Sequence, residues 1–445
     1  LVRVAFRGPH VHPRLVKVHY RGVCQGEIKW VLRDHDRLAN GETHREVARE
    51  AATRCMPATM RSIGAEAVDC QAIFSSLSKA QRKLRIFVYP LPRRFNTLLY
   101  KKFSESHLVS NAEVPVPFCV QSDTDLLAFM MGHPHYAAEV RMHEAMLSSP
   151  YRTHDPDQAT MFYVPAYFAQ YVWCMSWKGD EELRRVLRRL WHYLANTYPR
   201  YAHSGKAPRN HIMAATFDHG FYFWPEDVPQ DRFLLFGPSL RNDIIMPPCC
   251  PEVTSLLPRL RSSQFVPPAR KKVDLFFQGS REGGFRAAFF DQYHRWEASP
   301  ESRPIAGARL NWPSKADKKL FNMSTACFVP RGWAEWTGRD IEAINNLCIP
   351  VSFGKSWPFF KRFIRWDTFV LNMPNETERD INESVVAISE LVANSALVRA
   401  MQTRMQYVWP FLRIVPTWAR NESGLVLDAA TLFYAELAHW VPDTV

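Results

Sequence analysis

Between residues 337 and 353 the chain passes from a helical pattern straight into a short apolar run, and this succession narrows the choice of folds more than any other stretch. Ile341, Ile344, Leu347 and Cys348 recur at helical spacing. Residues 349–353, Ile-Pro-Val-Ser-Phe, then read as a buried strand, so the unit is an α-to-β step of a sheet covered by helices. Thr337 followed by Asp340 has the spacing of a capping box, so a helix is expected to start there. At about 100° per residue, Arg339, Glu342 and Asn346 share the face opposite the apolar stripe, with Arg339 in the first turn. Helix amides and a guanidinium then converge, an arrangement suited to an anion such as a phosphate. The plainer reading is an i,i+3 surface pair of Arg339 and Glu342, worth roughly 0.2–0.5 kcal/mol. Taken alone, the two readings stand level.

The rest of the chain tips the balance. Residues 84–89 read as a strand ended by Pro90 and Pro92, 133–147 as a helix, 151–157 as a turn-rich link, and 159–164 as a buried strand closed by Pro165. A basic amphipathic helix over 180–198 and a strand over 209–216 continue the alternation. Prolines at both ends of 247–268 mark a crossing between domains. Beyond it come a strand over 273–277, a glycine-rich loop over 278–284 that includes Gly279 and Ser280, and a helix over 285–296. Strand, glycine loop and helix is a nucleotide-binding layout, but the loop is neither GxGxxG nor a Walker loop, and by itself it favours a structural turn. The expected division is an N-terminal extension or stem over 1–80, a first α/β domain over 81–265 and a second over 266–445.

Composition fits this plan. A chain of 445 residues that is 47% hydrophobic and 13% aromatic can bury two cores. The formal charge of +12 suits an anionic partner, but the basic residues are dispersed, with no aromatic-interleaved stripe, so no nucleic-acid partner is expected. No run of about 18 apolar residues would span a membrane. The chain begins with Leu1, so a signal or anchor upstream is compatible with it. Nine cysteines without CxxC spacing argue against structural zinc and leave two readings, disulfides or buried thiols. Four acceptor triplets, at Asn322, Asn375, Asn382 and Asn421, lean towards the secretory pathway.

Several separated segments together resemble the exostosin family, family 47 of the glycosyltransferases, in its plant and algal form. They are residues 86–92 with 94–96, 136–139 with His143, 149–159 leading into 162–165, 209–211, 245–248, 275–279, 327–351 and 366–369. Two segments depart from the family's pattern. Asn210 stands where the family often has Asp, and residues 331–336 are unlike the usual loop. The resemblance implies a GT-B architecture, two Rossmann-like domains facing a cleft, with the sugar nucleotide on the second and the acceptor mainly on the first. It also implies an inverting transferase in the Golgi lumen, anchored as a type II membrane protein by a segment upstream of this chain.

Transfer from a nucleoside diphosphate sugar needs stabilisation of the departing diphosphate and removal of a proton from the acceptor hydroxyl. For the first, Arg339 is the expected diphosphate ligand, with Gly279, Ser280, Gly332, Thr337 and Gly338 around it. Glu342 would accept hydrogen bonds from the ribose. For the second, His211, Asp218 and His219 are the candidates, one of them serving as base near a strand end. Asp123 with Asp125, and Asp155 with Asp157, have the form of a metal-binding pair, but a basic side chain can do the metal's work in this fold. No metal or other cofactor is expected, only a UDP-sugar donor and a glycan acceptor. The second reading is a non-catalytic glycan-binding protein of the same fold, motivated by Asn210 and the 331–336 loop.

Overall fold

Short apolar runs bounded by Pro and Gly become strands buried on both faces when helices cover both sides of a sheet, and this chain builds two such sheets. The computed structural model describes residues 66–92, 95–96, 138–169, 180–202, 209–216, 220–247, 271–279, 284–298, 308–311, 318–330, 337–353, 359–373, 375–414 and 428–441. In the first sheet β1 (Ile86–Val88), β2 (Arg152–Thr153), β3 (Met161–Val164), β4 (His211–Ala214), β5 (Phe233–Gly237) and β6 (Ile244–Ile245) lie in the order β2-β1-β3-β4-β5-β6. Every neighbouring pair is parallel. Side chains alternate across it. Met161 and Tyr163 join one hydrophobic cluster, with α1 (Cys70–Lys83) and α2 (Ala138–Leu147) on that side. Phe162 and Val164 join the other, where α3 (Asp180–Thr197) presents Leu183, Val186, Leu187, Leu190, Trp191 and Leu194.

The second sheet contains β7 (Val273–Gln278), β8 (Ala308–Asn311), β9 (Ser324–Val329), β10 (Ile349–Phe353) and β11 (Leu371–Met373) in the order β11-β10-β9-β7-β8. It too is parallel throughout. On one face Leu275, Phe277, Phe328 and Val351 meet Phe289 and Phe290 of α4 (Gly284–Ala298) and Ile381 and Val385 of α6 (Glu378–Ala393). On the other, Phe276 and Cys327 meet Ala343 of α5 (Arg339–Asn345). Two further helices follow, α7 (Ser395–Val408) and α8 (Ala429–Leu437).

Cys327 on β9 and Cys348 just before β10 form a disulfide, with Cα atoms 5.6 Å apart and both side chains buried. Of the two readings of the cysteines, disulfides hold for this pair. Such bonds persist in oxidising compartments. Cys70 is free and half-buried.

The chain then returns to the first sheet. Phe360 N–H donates to Ile245 O at 3.1 Å, Val68 and Ile364 form an antiparallel bridge, and Tyr434 Oη donates to Ala145 O at 2.9 Å. Phe433 of α8 packs on Phe236 of β5 with ring centroids 4.6 Å apart. The expected boundary at residue 80 falls inside α1, whose Ile73, Ser76 and Ala80 are buried, and Ala67 and Val68 are already in the core. α1 escapes a sequence reading because its buried face is built from few apolar side chains. The expected turn over 151–157 holds a two-residue edge strand, β2, followed by a 3-10 turn capped by Asp155, which accepts from Asp157 N–H. Among the described residues no single helix is long and apolar enough to cross a membrane.

Candidate functional site

In an open parallel sheet, ligands settle at the carboxyl ends of the strands where the strand order reverses. In the second sheet β7 has β8 on one side and β9 on the other, so the reversal lies between β7 and β9. Gly279 follows β7 and Arg339 opens α5 beyond β9, and the structure brings these two together. A Cβ built on Gly279 would stand 2.3 Å from Arg339 Nη1 and 2.8 Å from the tip of the Phe277 ring. Only a residue without a side chain leaves the guanidinium its place. The Arg339 Cζ lies 5.6 Å from the centroid of Phe277, within cation–π range. Phe277 thus forms the floor under the cation, and Gly279 leaves its edge open.

Charge is arranged unevenly here. Burial holds Arg339 below its ordinary pKa; Glu342 works against that effect, and Arg286 in the first turn of α4 adds to it. Arg339 thus feels a second guanidinium, that of Arg286, and an opposing carboxylate, that of Glu342. A bound polyanion would relieve the repulsion between the two guanidinium groups. Arg286 was not singled out from sequence.

Gly279→Ala is expected to displace the Arg339 side chain without unfolding the sheet. Affinity for a nucleoside diphosphate should fall about tenfold or more, the scale of a lost charge-assisted hydrogen bond, with an unchanged circular dichroism spectrum. Equal affinity in calorimetry would remove Gly279 from the site.

The capping box expected from Thr337 and Asp340 does not form. Gly338 takes the N-cap position, where no side chain bonds to the helix, and Asp340 instead accepts from its neighbour Ile341 N–H at 2.6 Å. The helix starts one residue later than the box requires, which turns the Asp340 carboxyl into the interior, and burial raises its pKa well above the ordinary carboxylate range. Thr337 Oγ1 accepts from Arg339 N–H at 3.4 Å, so Thr337 and Gly338 shape the approach to Arg339. α5 spans seven residues, and a helix so short offers little dipole, so an anion placed here would rest chiefly on Arg339. Ser280 and Gly332 lie outside the described residues.

His211 opens β4 in the core of the first sheet. Its side chain is fully buried, its Nδ1–H donates to Asn210 Oδ1 at 2.8 Å, and its Nε2 accepts from Tyr89 Oη at 3.0 Å. Tyr89 and Phe162 stack on the ring. With its ring enclosed and both nitrogens bonded, His211 ties strand ends together and opens no path to an acceptor hydroxyl. Asn210, neutral where the family often has Asp, suits this neutral imidazole. Asp218 and His219 lie outside the described residues.

Burial, with Arg232 second, lowers the pKa of His211 to about 3, and burial with Arg152 lowers that of His143 to about 4. Each ring thus contributes stability that is complete above the ordinary value of 6.5 and is lost as pH falls towards the folded value. Buried Glu139, raised well above its ordinary range, acts with the opposite sign, so ring titration is the useful measurement. Imidazole NMR signals of His211 and His143 should stay neutral as pH is lowered from about 7 to about 5. A midpoint near 6.5 for either would show that its ring is open to water.

Glu139 and His143 do not pair with each other. Both Glu139 oxygens accept from Ala169 N–H at 3.0 Å, and His143 Nδ1 bonds Tyr167 Oη at 2.7 Å. Together they fasten α2 to the segment that follows β3. Among the described residues no cluster of three or more His, Cys, Asp or Glu could hold a metal.

Comparison with known proteins agrees with this layout. The model of the exostosin GT47 domain matches residues 80–389. The chain belongs to the exostosin family of glycosyltransferases, family 47. The exostosin domain thus takes in β1 to β11, with both sheets and the Gly279–Arg339 site. The chain is 28% identical over 298 residues to a probable glucuronosyltransferase of Oryza sativa subsp. japonica, with 60% of this chain and 61% of that protein covered. It is 25% identical over 360 residues to IRX10, a probable beta-1,4-xylosyltransferase of Arabidopsis thaliana, covering 72% of this chain and 77% of the relative. Probable glucuronosyltransferase 47 A of Physcomitrium patens is 24% identical over 361 residues, covering 72% and 71%.

Proposed function

We propose that this exostosin-family chain is an inverting glycosyltransferase that moves a sugar from a UDP-sugar to a glycan or glycoprotein acceptor. The observation that carries the reading is the Arg339 guanidinium seated against Gly279 and Phe277 at the strand reversal of the second sheet. In this reading the two sheets are the halves of a GT-B fold, with the donor on the second and the acceptor on the first. Arg339, seated on Phe277, stabilises the charge that develops on the diphosphate as the sugar departs. Arg286 shares that charge from the α4 side. Glu342, three residues along the same helix face, accepts hydrogen bonds from the ribose hydroxyls. With His211 enclosed, the proton of the attacking hydroxyl goes to Asp218 or His219, the acidic and basic side chains that follow β4 in the chain. The buried Cys327–Cys348 disulfide supports a site of action in the secretory pathway, with the Golgi lumen as the proposed compartment and a type II anchor outside this chain.

The relatives' names make UDP-glucuronic acid and UDP-xylose the first donors to test. Calorimetry with these sugars, UDP alone and GDP, with and without chelator, should show uridine-selective binding that survives the chelator. A folded protein that binds none of them would overturn the reading.

A further inference from the structure

We propose that Asn375 is an N-glycosylation site of this protein. Asn375 lies in the turn between β11 and α6 with its side chain exposed. Two residues on, the cap of α6 fixes the backbone that follows Asn375. Thr377, the third residue of the triplet, is the N-cap. Its Oγ1 accepts from Asp380 N–H at 3.2 Å, and Asp380 Oδ2 accepts from Thr377 N–H at 3.1 Å. The exposed bend is therefore a defined part of the fold, and it tolerates a bulky group pointing outwards.

The other described triplets are placed differently. Asn322 lies in the helix Lys318–Met323 and its carbonyl accepts from Lys271 Nζ at 2.7 Å, while Ser324 is fully buried at the start of β9. Asn382 lies within α6, and Ser384 is fully buried, donating to Ile381 O at 2.7 Å. In each, the serine that the modifying enzyme must engage enters the core as its segment folds. The Asn375 triplet alone among the described ones keeps Asn and hydroxyl residue outside the core, so its window for modification stays open longest.

The donor would be a polyprenyl-diphosphate-linked oligosaccharide of the secretory pathway. The Asn375 Nδ2 attacks the anomeric carbon of the first sugar, the N–C bond forms, the bond from that carbon to the diphosphate oxygen breaks, and Nδ2 loses one proton. The lipid diphosphate is the leaving group, and nothing is oxidised or reduced. β11 is three strand spacings from β7, about 14 Å, so Asn375 is set apart from Gly279 and Arg339.

The inference rests on the secretory reading of the chain, so its test fixes that variable. The full chain is directed into the secretory pathway of a eukaryotic host by an added signal sequence, and the secreted protein is treated with peptide N-glycosidase in heavy-oxygen water. Most Asn375 should be recovered as labelled aspartate, with at least fivefold less labelling at Asn322 and Asn382. Asn375→Gln should lose one glycan-sized step in gel mobility and keep the unmodified chain's nucleotide affinity; Thr377→Ser, which retains both the triplet and the cap, should keep the step. Unlabelled Asn375 in the secreted, folded protein, or equal labelling at all three positions, would overturn the proposal. If Asn375 is labelled but no nucleotide binds, the transferase reading fails while the glycan site stands.

Discussion

Arg339→Ala is expected to lower turnover by about 10²–10³, the scale of losing one preorganised donor to a developing anion. The fold should survive, because the guanidinium lies on the surface of Phe277 and spans no core cluster. Steady-state rates with the preferred UDP-sugar, set beside thermal unfolding of the same sample, separate the two effects. Arg339→Lys should recover only part of the loss, since an ammonium lacks the planar fork that grips two phosphate oxygens and stacks on a ring. Arg286→Ala gives the complementary measurement. If both arginines serve one diphosphate, the double variant should lose less than the sum of the single losses in free energy. Near-normal activity of Arg339→Ala would move the donor elsewhere.

Replacing Cys327 and Cys348 together by serine should destabilise the protein by about 3 kcal/mol if the bond acts by closing its 21-residue loop. Buried hydroxyls in an apolar cluster add to that loss. The loop carries α5, so UDP affinity should fall before the protein unfolds globally, and the two losses can be timed separately in a thermal ramp followed by nucleotide fluorescence and by circular dichroism. The native protein should resist mild reductant, since both sulfurs are buried. Unfolding that is the same with and without the bond would show that pairing of β9 with β10 already fixes the loop.

Much of this was legible from residue patterns. Residues 349–353 form β10 because an unbroken apolar run after a helix has no stable place except between two covered faces, and β3, β4 and β7 follow the same logic. The run Phe233-Leu-Leu-Phe236 carries the same signal and forms β5, although it was not read as a strand. Two-residue β2 and β6 carry no period at all, and only their neighbours make them strands. At the site, the face shared by Arg339 and Glu342 followed from helical spacing. Arg286 did not, because its relevance depends on a strand order that brings β7 beside β9. The failed capping box and the enclosed His211 have one cause. Sequence spacing fixes which side chains lie near a strand end or helix start, but whether they face solvent is decided by what packs on them, here Tyr89, Phe162 and the turn at Gly338.

The return of the chain to its first sheet has a consequence for anyone dividing this protein. Residues 359–370 and α8 complete a surface whose strands were laid down more than a hundred residues earlier, and Val68 near the start of the described chain pairs with Ile364. A cut at any one peptide bond between the sheets would leave the first without its cover and the second with an orphaned apolar tail. A chain cut after residue 389, where the family match ends, should aggregate, because α8 no longer covers the first sheet.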